Sequence, residues 1–451
     1  MELKNMAKYS PVQDKKEAPL AFFFLCLYTI FILIRPHEFS YETSQLIIIK
    51  VLAITTIVLT LITLRPLTLL PQHYLIFSLI PLILISSIFN GWFGGGLIQA
   101  NIMIVSAVIP FFLFSNCVTN INRQHIIMYL CLIAAMVMVY NGHLQSTSFN
   151  GSFGTGIGGL QSVFSFARQE IRITYFGFFN DPNDLGMFLV MNLPLAAYFY
   201  VQGNFLKKVI MLGVISAILY GVYLTGSRGT LLGVVGVVGI YYLVVKGGAK
   251  LIVFSMIAAP LAATMLAALG GVSGSGESAN GRLEAWYFGI QMLLSHPLFG
   301  IGMGNFIEEH NLVAHNSYIH IASELGSLGY SLWGGTLILT MLASFILMKK
   351  HPVLDGEEYS VETKANYVDE IRINKVLFFS MVGFMITAFF LSRSYSLLLF
   401  VFLGLLTASH IRILRLNPEL KQLFSKKITY KCIWYSWIII FTVFIAMKIG
   451  I

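Results

Sequence analysis

The chain has 451 residues, 57% of them hydrophobic and 11% charged, with a formal net charge of +9. Soluble domains carry about 25% charged residues, so this composition excludes an ordinary water-soluble globular domain. A positive balance alone would also suit a nucleic-acid binder, but the placement of the charges, described below, argues against one.

A membrane-spanning helix needs about 20 mostly apolar residues, and such stretches recur along the whole chain between short polar breaks. Lipid tolerates no open sheet edge, so these stretches are expected to be helices. The alternating strands of about 10 residues that mark a transmembrane barrel do not occur. A polar stretch runs to about Glu17, and the apolar segment after it has no small-residue cleavage site, so it is expected to remain as a first helix. In chain order the expected spans are 18–34, 44–64, 73–90, 97–117, 125–140, 184–201, 209–225, 229–245, 251–270, 327–348, 376–391, 396–410 and 432–449. The expectation is an all-α polytopic membrane protein of about 12–13 transmembrane helices, a single membrane domain over 1–451. Three interruptions are long: 141–183, rich in Gly and Ser; 271–326; and 349–375, acidic and basic by turns. Cys26, Cys117, Cys131 and Cys432 lie in or beside apolar segments without ligand-like spacing. They read as small buried hydrophobes, with no disulfide framework and no metal site.

Orientation follows from the excess of Lys and Arg in cytoplasmic loops. With the N-terminus in the cytoplasm, 21 of the 29 basic residues fall inside and six outside: Arg35, Arg168, Arg172, Arg228, Arg282 and Arg393. Lys50 and Lys448 fall within spans. This split makes 141–183 and 271–326 outer loops and 349–375 a cytoplasmic, solvated one. The six outer residues are all arginine, whereas sixteen of the inner 21 are lysine. Arginine presents a rigid fork matched to phosphate and carboxylate, while lysine is a mobile point charge. The outer face therefore points to anion binding, against the plainer reading that a few arginines snorkel at helix ends.

Four outer segments carry candidate chemistry. In Arg172-Ile-Thr-Tyr-Phe-Gly-Phe-Phe-Asn-Asp-Pro-Asn-Asp184, the Asn and Asp residues and Pro182 suit a helix start. Capping accounts for them, but not for Arg172 or the nearby Arg168. Thr225-Gly-Ser-Arg-Gly-Thr230 joins two spans with almost no loop. It places Arg228 beside free N–H groups and the positive end of the following helix, a phosphate site at headgroup depth, or else a snorkelling arginine. Residues 280–297 carry Leu283, Trp286, Ile290, Leu293 and Leu294 at helical spacing. They read as an interfacial amphipathic helix begun by Arg282, with Trp286 and Tyr287 at headgroup level. The fourth segment holds Gly300-Ile-Gly-Met-Gly304, His310, His315 and His320. The glycine run is a weak signal without a preceding strand, and histidines five apart do not share the i, i+4 face of a metal pair. A histidine near neutral pH can take a proton from a hydroxyl. His315, in an outer loop that also carries arginine, is the candidate, although a lone histidine is more often structural.

On these residues the chain resembles the O-antigen ligase and O-antigen polymerase superfamily of bacterial membrane glycosyltransferases. Their most characteristic motif is His followed by Asn, Ser or Gln, nine residues, Gly, two residues, then Gly, Thr or Tyr; here it reads His315-Asn316, Gly326 and Gly329. Ser227-Arg228-Gly229 is similar to the family's arginine turn, and Arg282 ahead of His296-Pro297 to its second arginine. Arg172 with Asp181-Pro182-Asn183 looks like an upstream pattern of the group. The likeness covers about 170–335, and the ends of the chain share only hydropathy. It implies a C-type glycosyltransferase fold whose large outer loop carries short interfacial helices. It also implies inverting, metal-independent glycan transfer at the periplasmic face of the inner membrane, without a cofactor. The donor would be a glycan on undecaprenyl diphosphate, and the acceptor a hydroxyl of lipid A–core or of another glycan. His315, Arg228 and Arg282 would be catalytic. Arg172, Arg168, Asn316, Ser227 and Gly229 would bind the diphosphate or glycan. The family has about a dozen spans, so a thirteenth is a departure. Polymerase and protein O-oligosaccharyltransferase remain alternatives to ligase within the resemblance. A lipid or polysaccharide flippase is the alternative outside it, for which buried mid-span charges and repeated halves would be expected; Lys50 is the one clear intramembrane charge in the sequence.

Overall fold

The computed structural model describes residues 18–64, 66–165, 170–246, 276–349 and 360–450. Among them, ten helices are long and apolar enough to cross a membrane, and two more are apolar but shorter. In chain order the helices are α1 (Pro19–Leu33), α2 (Ile48–Thr63), α3 (Pro71–Phe89), α4 (Phe93–Cys117), α5 (Ile121–Thr147), α6 (Pro182–Gln202), α7 (Phe205–Leu224), α8 (Arg228–Lys246), α9 (Gly276–Ser295), α10 (Ser317–Lys349), α11 (Val361–Thr387), α12 (Leu397–Leu416) and α13 (Lys426–Gly450). Twelve of the thirteen expected spans coincide with α1–α8 and α10–α13. The thirteenth, 251–270, lies outside the described residues, as do Arg168 and the 350–359 part of the 349–375 loop. The chain is thus an all-α polytopic membrane protein. The strands among the described residues are a small antiparallel hairpin, β1 (Val163–Ser165) and β2 (Glu170–Arg172).

Local sequence sets where the helices begin. Proline occupies the first turn of α1, α3 and α6, where its missing N–H costs nothing. Asn120, Asp181, Asn204, Ser360 and Ser396 each accept a backbone N–H at the start of α5, α6, α7, α11 and α12. Packing then sorts the helices. α12 is buried without a break from Leu398 to Leu414 and forms the centre. α7 and α8 lie at the rim and expose Val209, Leu212, Tyr223, Val235, Val238 and Tyr242 on a lipid-type surface. One face of α8 carries glycines that let another helix come close. Gly229 abuts Phe390, Gly233 abuts Thr387 and Val190, and Gly236 abuts Ile386.

The two ends of the bundle are built differently. At one end the buried guanidinium of Arg412 donates to Glu370 at 2.6 and 3.0 Å, to the carbonyl of Val118 at 2.8 Å and to Gln124 at 3.3 Å. These bonds tie α11, α12 and the α4–α5 turn together. At the other end meet the segments that the charge count places outside. The Tyr175 hydroxyl donates to Ile34 O at 2.5 Å, and Asn90 Nδ2 to Gly300 O at 3.0 Å. Arg172 reaches the α7–α8 turn, and Arg393 pairs with Asp184. Lys50, expected inside a span, lies in the first turn of α2 with its side chain exposed. The buried charges among the described residues include Asp184, Glu324, Glu370 and Arg412. Asp184 begins α6, Arg412 lies in the last turns of α12 opposite Glu370, and Glu324 precedes a break in α10.

Candidate active site

Arg172 ends β2, and its side chain is fixed at both edges. Nε donates to Thr225 O at 2.8 Å and a terminal nitrogen to Asn183 Oδ1 at 3.0 Å. Asn183 Nδ2 donates to Asp181 Oδ1 at 2.8 Å, and Asp181 caps α6 by accepting from Asn183 N at 2.7 Å. The Asn and Asp cluster therefore caps a helix, as expected, and in addition holds an arginine. In the α7–α8 turn, Gly226 adopts a left-handed φ of 57° with Glu170 and Arg172 against it. Ser227 Oγ accepts from Thr230 N at 3.2 Å and caps α8. Arg228 follows as the first, exposed residue of α8, and Gly229 packs on Phe390. Ser227 and Gly229, expected to bind substrate, thus set the place from which Arg228 projects.

α9 carries Arg282 close enough to His315 for its charge to act on the imidazole. Trp286, expected at headgroup level in an interfacial stripe, is covered by protein. It is fully buried, edge-on to Phe389 at 5.3 Å, while Tyr287 faces outward. Trp286 and Ile290 of the apolar stripe pack against protein while Leu294 is exposed, and Gly289 is pressed on Ile319 and Phe306.

The glycine run serves a helix break. Gly326 interrupts α10 at φ 64°, ψ −163°, a region essentially open to glycine alone. The freed backbone pairs with the chain before it: Ile301 N donates to Ser323 O at 3.0 Å, Gly302 N to Glu324 O at 2.9 Å and Ser327 N to Pro297 O at 2.8 Å. Gly304 N donates to Glu324 Oε1 at 2.9 Å, so this buried carboxylate holds the glycine loop.

His315 stands just before α10 with a left-handed φ of 50°, uncommon for a residue with a side chain. Such conformations cost about 1–3 kcal/mol and cluster at functional sites. Its N–H donates to Ser392 Oγ at 2.7 Å. Asn316 is buried, and its carbonyl caps α10 by accepting from Tyr318 N at 3.0 Å and Ile319 N at 3.1 Å, a structural role where substrate contact was expected. The other two histidines are committed elsewhere: His310 lies tilted against Phe288 at 4.4 Å between ring centres, and His320 bridges Ser394 at 3.2 Å and Glu324 at 3.3 Å. The His315 imidazole is held down at about 4 by burial, with Arg282 and Arg393 adding to the effect and Asp181 opposing it. It is therefore an unprotonated acceptor at neutral pH.

Arg393 is the residue that sequence reasoning counted among the outer arginines but did not place in the site. Its Nε and a terminal nitrogen both engage the carboxylate of Asp184, and its guanidinium lies over the Phe178 ring at 5.4 Å. Burial opposes its charge, but the bonds to Asp184 outweigh this and raise its pKa above the ordinary value. The sequence signal was present in the all-arginine outer set, but the pairing spans 209 residues.

The structure thus gathers Arg172, Arg228, Arg282, Arg393 and His315 at one end, around the starts of α6, α8 and α10 and the turn after α11. Cationic forks beside an unprotonated imidazole suit an anionic group next to a hydroxyl that must lose a proton. Among curated proteins none matches the chain. Residues 212–334 match the family described as O-antigen ligase, a stretch that runs from within α7 through Arg228, Arg282 and His315 into α10. Over that region the chain is similar to the O-antigen ligase superfamily.

Proposed function

We propose that the protein transfers a glycan from undecaprenyl diphosphate to an acceptor hydroxyl, with lipid A–core as the preferred acceptor. The observation that carries this reading is the left-handed, unprotonated His315 set among arginines at one end of the bundle. In the reaction His315 takes the acceptor proton, and the acceptor oxygen attacks the anomeric carbon from the face opposite the leaving group. The carbon–oxygen bond to the diphosphate breaks, and the configuration inverts. The departing diphosphate gains negative charge, which Arg228 and Arg282 stabilise in the role a divalent cation otherwise takes, with Arg172 and Arg168 assisting. Membrane lipid surrounds the helices, and the lipid tail of the donor lies against them. The arginine-bearing end is the periplasmic face of a bacterial inner membrane, with the N-terminus, the 349–375 loop and most lysines cytoplasmic. On this reading 141–183 and 271–326 are the outer loops, the latter bearing the catalytic motif.

The test is incubation of the purified protein with a lipid diphosphate-linked glycan and candidate acceptors. Glycan on lipid A–core supports the ligase reading. Longer lipid-linked chains indicate an O-antigen or exopolysaccharide polymerase, and glycosylated protein an O-oligosaccharyltransferase. Movement of an unconsumed donor across the bilayer indicates a flippase and overturns the proposal. Arg228→Lys is expected to lower kcat/KM about tenfold or more, because an ammonium keeps the charge but loses the two-pronged geometry. Steady-state rates against donor concentration check it; a wild-type kcat/KM in this variant would take Arg228 out of the diphosphate site.

A further inference from the structure

The loop between α11 and α12 holds more contacts to the candidate base than any sequence motif indicates. Ser392 Oγ accepts from His315 N at 2.7 Å. Ser317 Oγ donates to Leu391 O at 2.6 Å and accepts from Arg393 N at 2.8 Å. Ser394 Oγ donates to Ser317 O at 2.6 Å. Four consecutive loop residues, Leu391 to Ser394, therefore bond to positions 315 and 317. The loop is in turn anchored by the fork of Arg393 on the buried carboxylate of Asp184. Asp184 lies one residue beyond Asn183, which holds Arg172.

We propose that Arg393, locked by Asp184, is a positioning residue for His315, fixing the backbone of the base against the start of α6, whose Asn183 holds Arg172. The inference rests on the glycan-transfer reading and deepens it. His315 has no side-chain hydrogen bond to orient its ring among the described residues. Its backbone conformation is the remaining device, and the Arg393 loop sustains that conformation. Three charged groups face the imidazole: Arg282 from α9, Asp181 from the cap of α6, and Arg393 from the loop. Displacement of the loop therefore changes both where the ring points and what charge it meets.

The test uses the full-length protein in nanodiscs with ¹³C-labelled histidine, the His315 signal being assigned by its loss in His315→Gln. Arg393→Lys keeps the charge, whereas Arg393→Gln removes it and leaves Asp184 buried and uncompensated. The double variant Arg393→Gln with Asp184→Asn removes both charges and keeps the measurement possible if the single variant does not fold. The double variant is expected to shift the His315 titration to higher pH and to lower kcat about tenfold to a hundredfold, the scale of a misplaced catalytic group, with donor KM nearly unchanged. Arg393→Lys should keep the titration near wild type and recover part of kcat. An unchanged titration and kcat in the double variant would overturn the proposal. So would a rise in donor KM at constant kcat, which would make Arg393 a ligand. Wild-type transfer by His315→Gln would instead sink the transfer reading, and the titration shift, which needs no turnover, would still report on the loop.

Discussion

Transfer by a His315→Ala protein is expected to fall by about 10²–10⁴-fold, the range a positioned general base contributes, with donor affinity little changed. Initial rates and donor binding on the same preparation separate this outcome from misfolding. The expectation rests on the imidazole being unprotonated, since burial and two arginines hold it at about 4. The sign of the pH dependence follows. Below about pH 4 the free protein carries His315 protonated, and the base is lost. A bound diphosphate offsets the charges of Arg282 and Arg393, so in the complex the imidazole gains its proton at a higher pH. The acid limb of kcat, which reports the complex, should therefore lie at higher pH than that of kcat/KM, which reports the free protein. Coincident limbs would mean that no anion comes close to His315.

The second large effect concerns the fold. Gly326→Ala is expected to abolish or severely reduce folded protein. At φ 64° and ψ −163° an alanine is strained by about 1–3 kcal/mol. Its Cβ would also lie 2.5 Å from the backbone of Leu298 and 2.6 Å from Gly300 N, atoms that cannot swing aside. The pairing of 297–302 with the broken helix would part, and with it the anchor of Glu324 on Gly304. Size-exclusion profiles and thermal unfolding in detergent check this, with Gly213→Ala in α7 as the comparison, since a Cβ there meets nothing within 4 Å. A Gly326→Ala protein that elutes and melts like wild type would show that the break is not required.

Hydropathy made the helices legible because lipid leaves a long apolar segment no other structure. Charge asymmetry likewise grouped the segments that the structure brings to one end. The roles within the motifs were not legible. His315-Asn316 and Ser227-Arg228-Gly229 each read as units of function. In the structure Asn316 and Ser227 cap helices, while Arg228 is exposed and His315 adjoins Arg282 and Arg393. A cap and a ligand contact use the same polar residue types, so composition cannot separate them. Trp286 misled for a related reason. An amphipathic helix buries its apolar stripe against lipid or protein alike, and only tertiary packing decides which. Arg393 was hidden because its meaning depends on Asp184, on another helix far away in sequence.

The glycine face of α8 has a consequence for the chemistry above it. Where Gly229, Gly233 and Gly236 touch Phe390, Thr387, Val190 and Ile386, the gap between helices is set by the thinnest residue available. Arg228 tops one of these helices, and the loop bearing Arg393 follows the other. The spacing of Arg228 from the Arg393 loop is thus gauged by three missing side chains in the first turns of α8. A bulky residue at Gly233 or Gly236 would move Arg228 relative to the Arg393 loop without touching either.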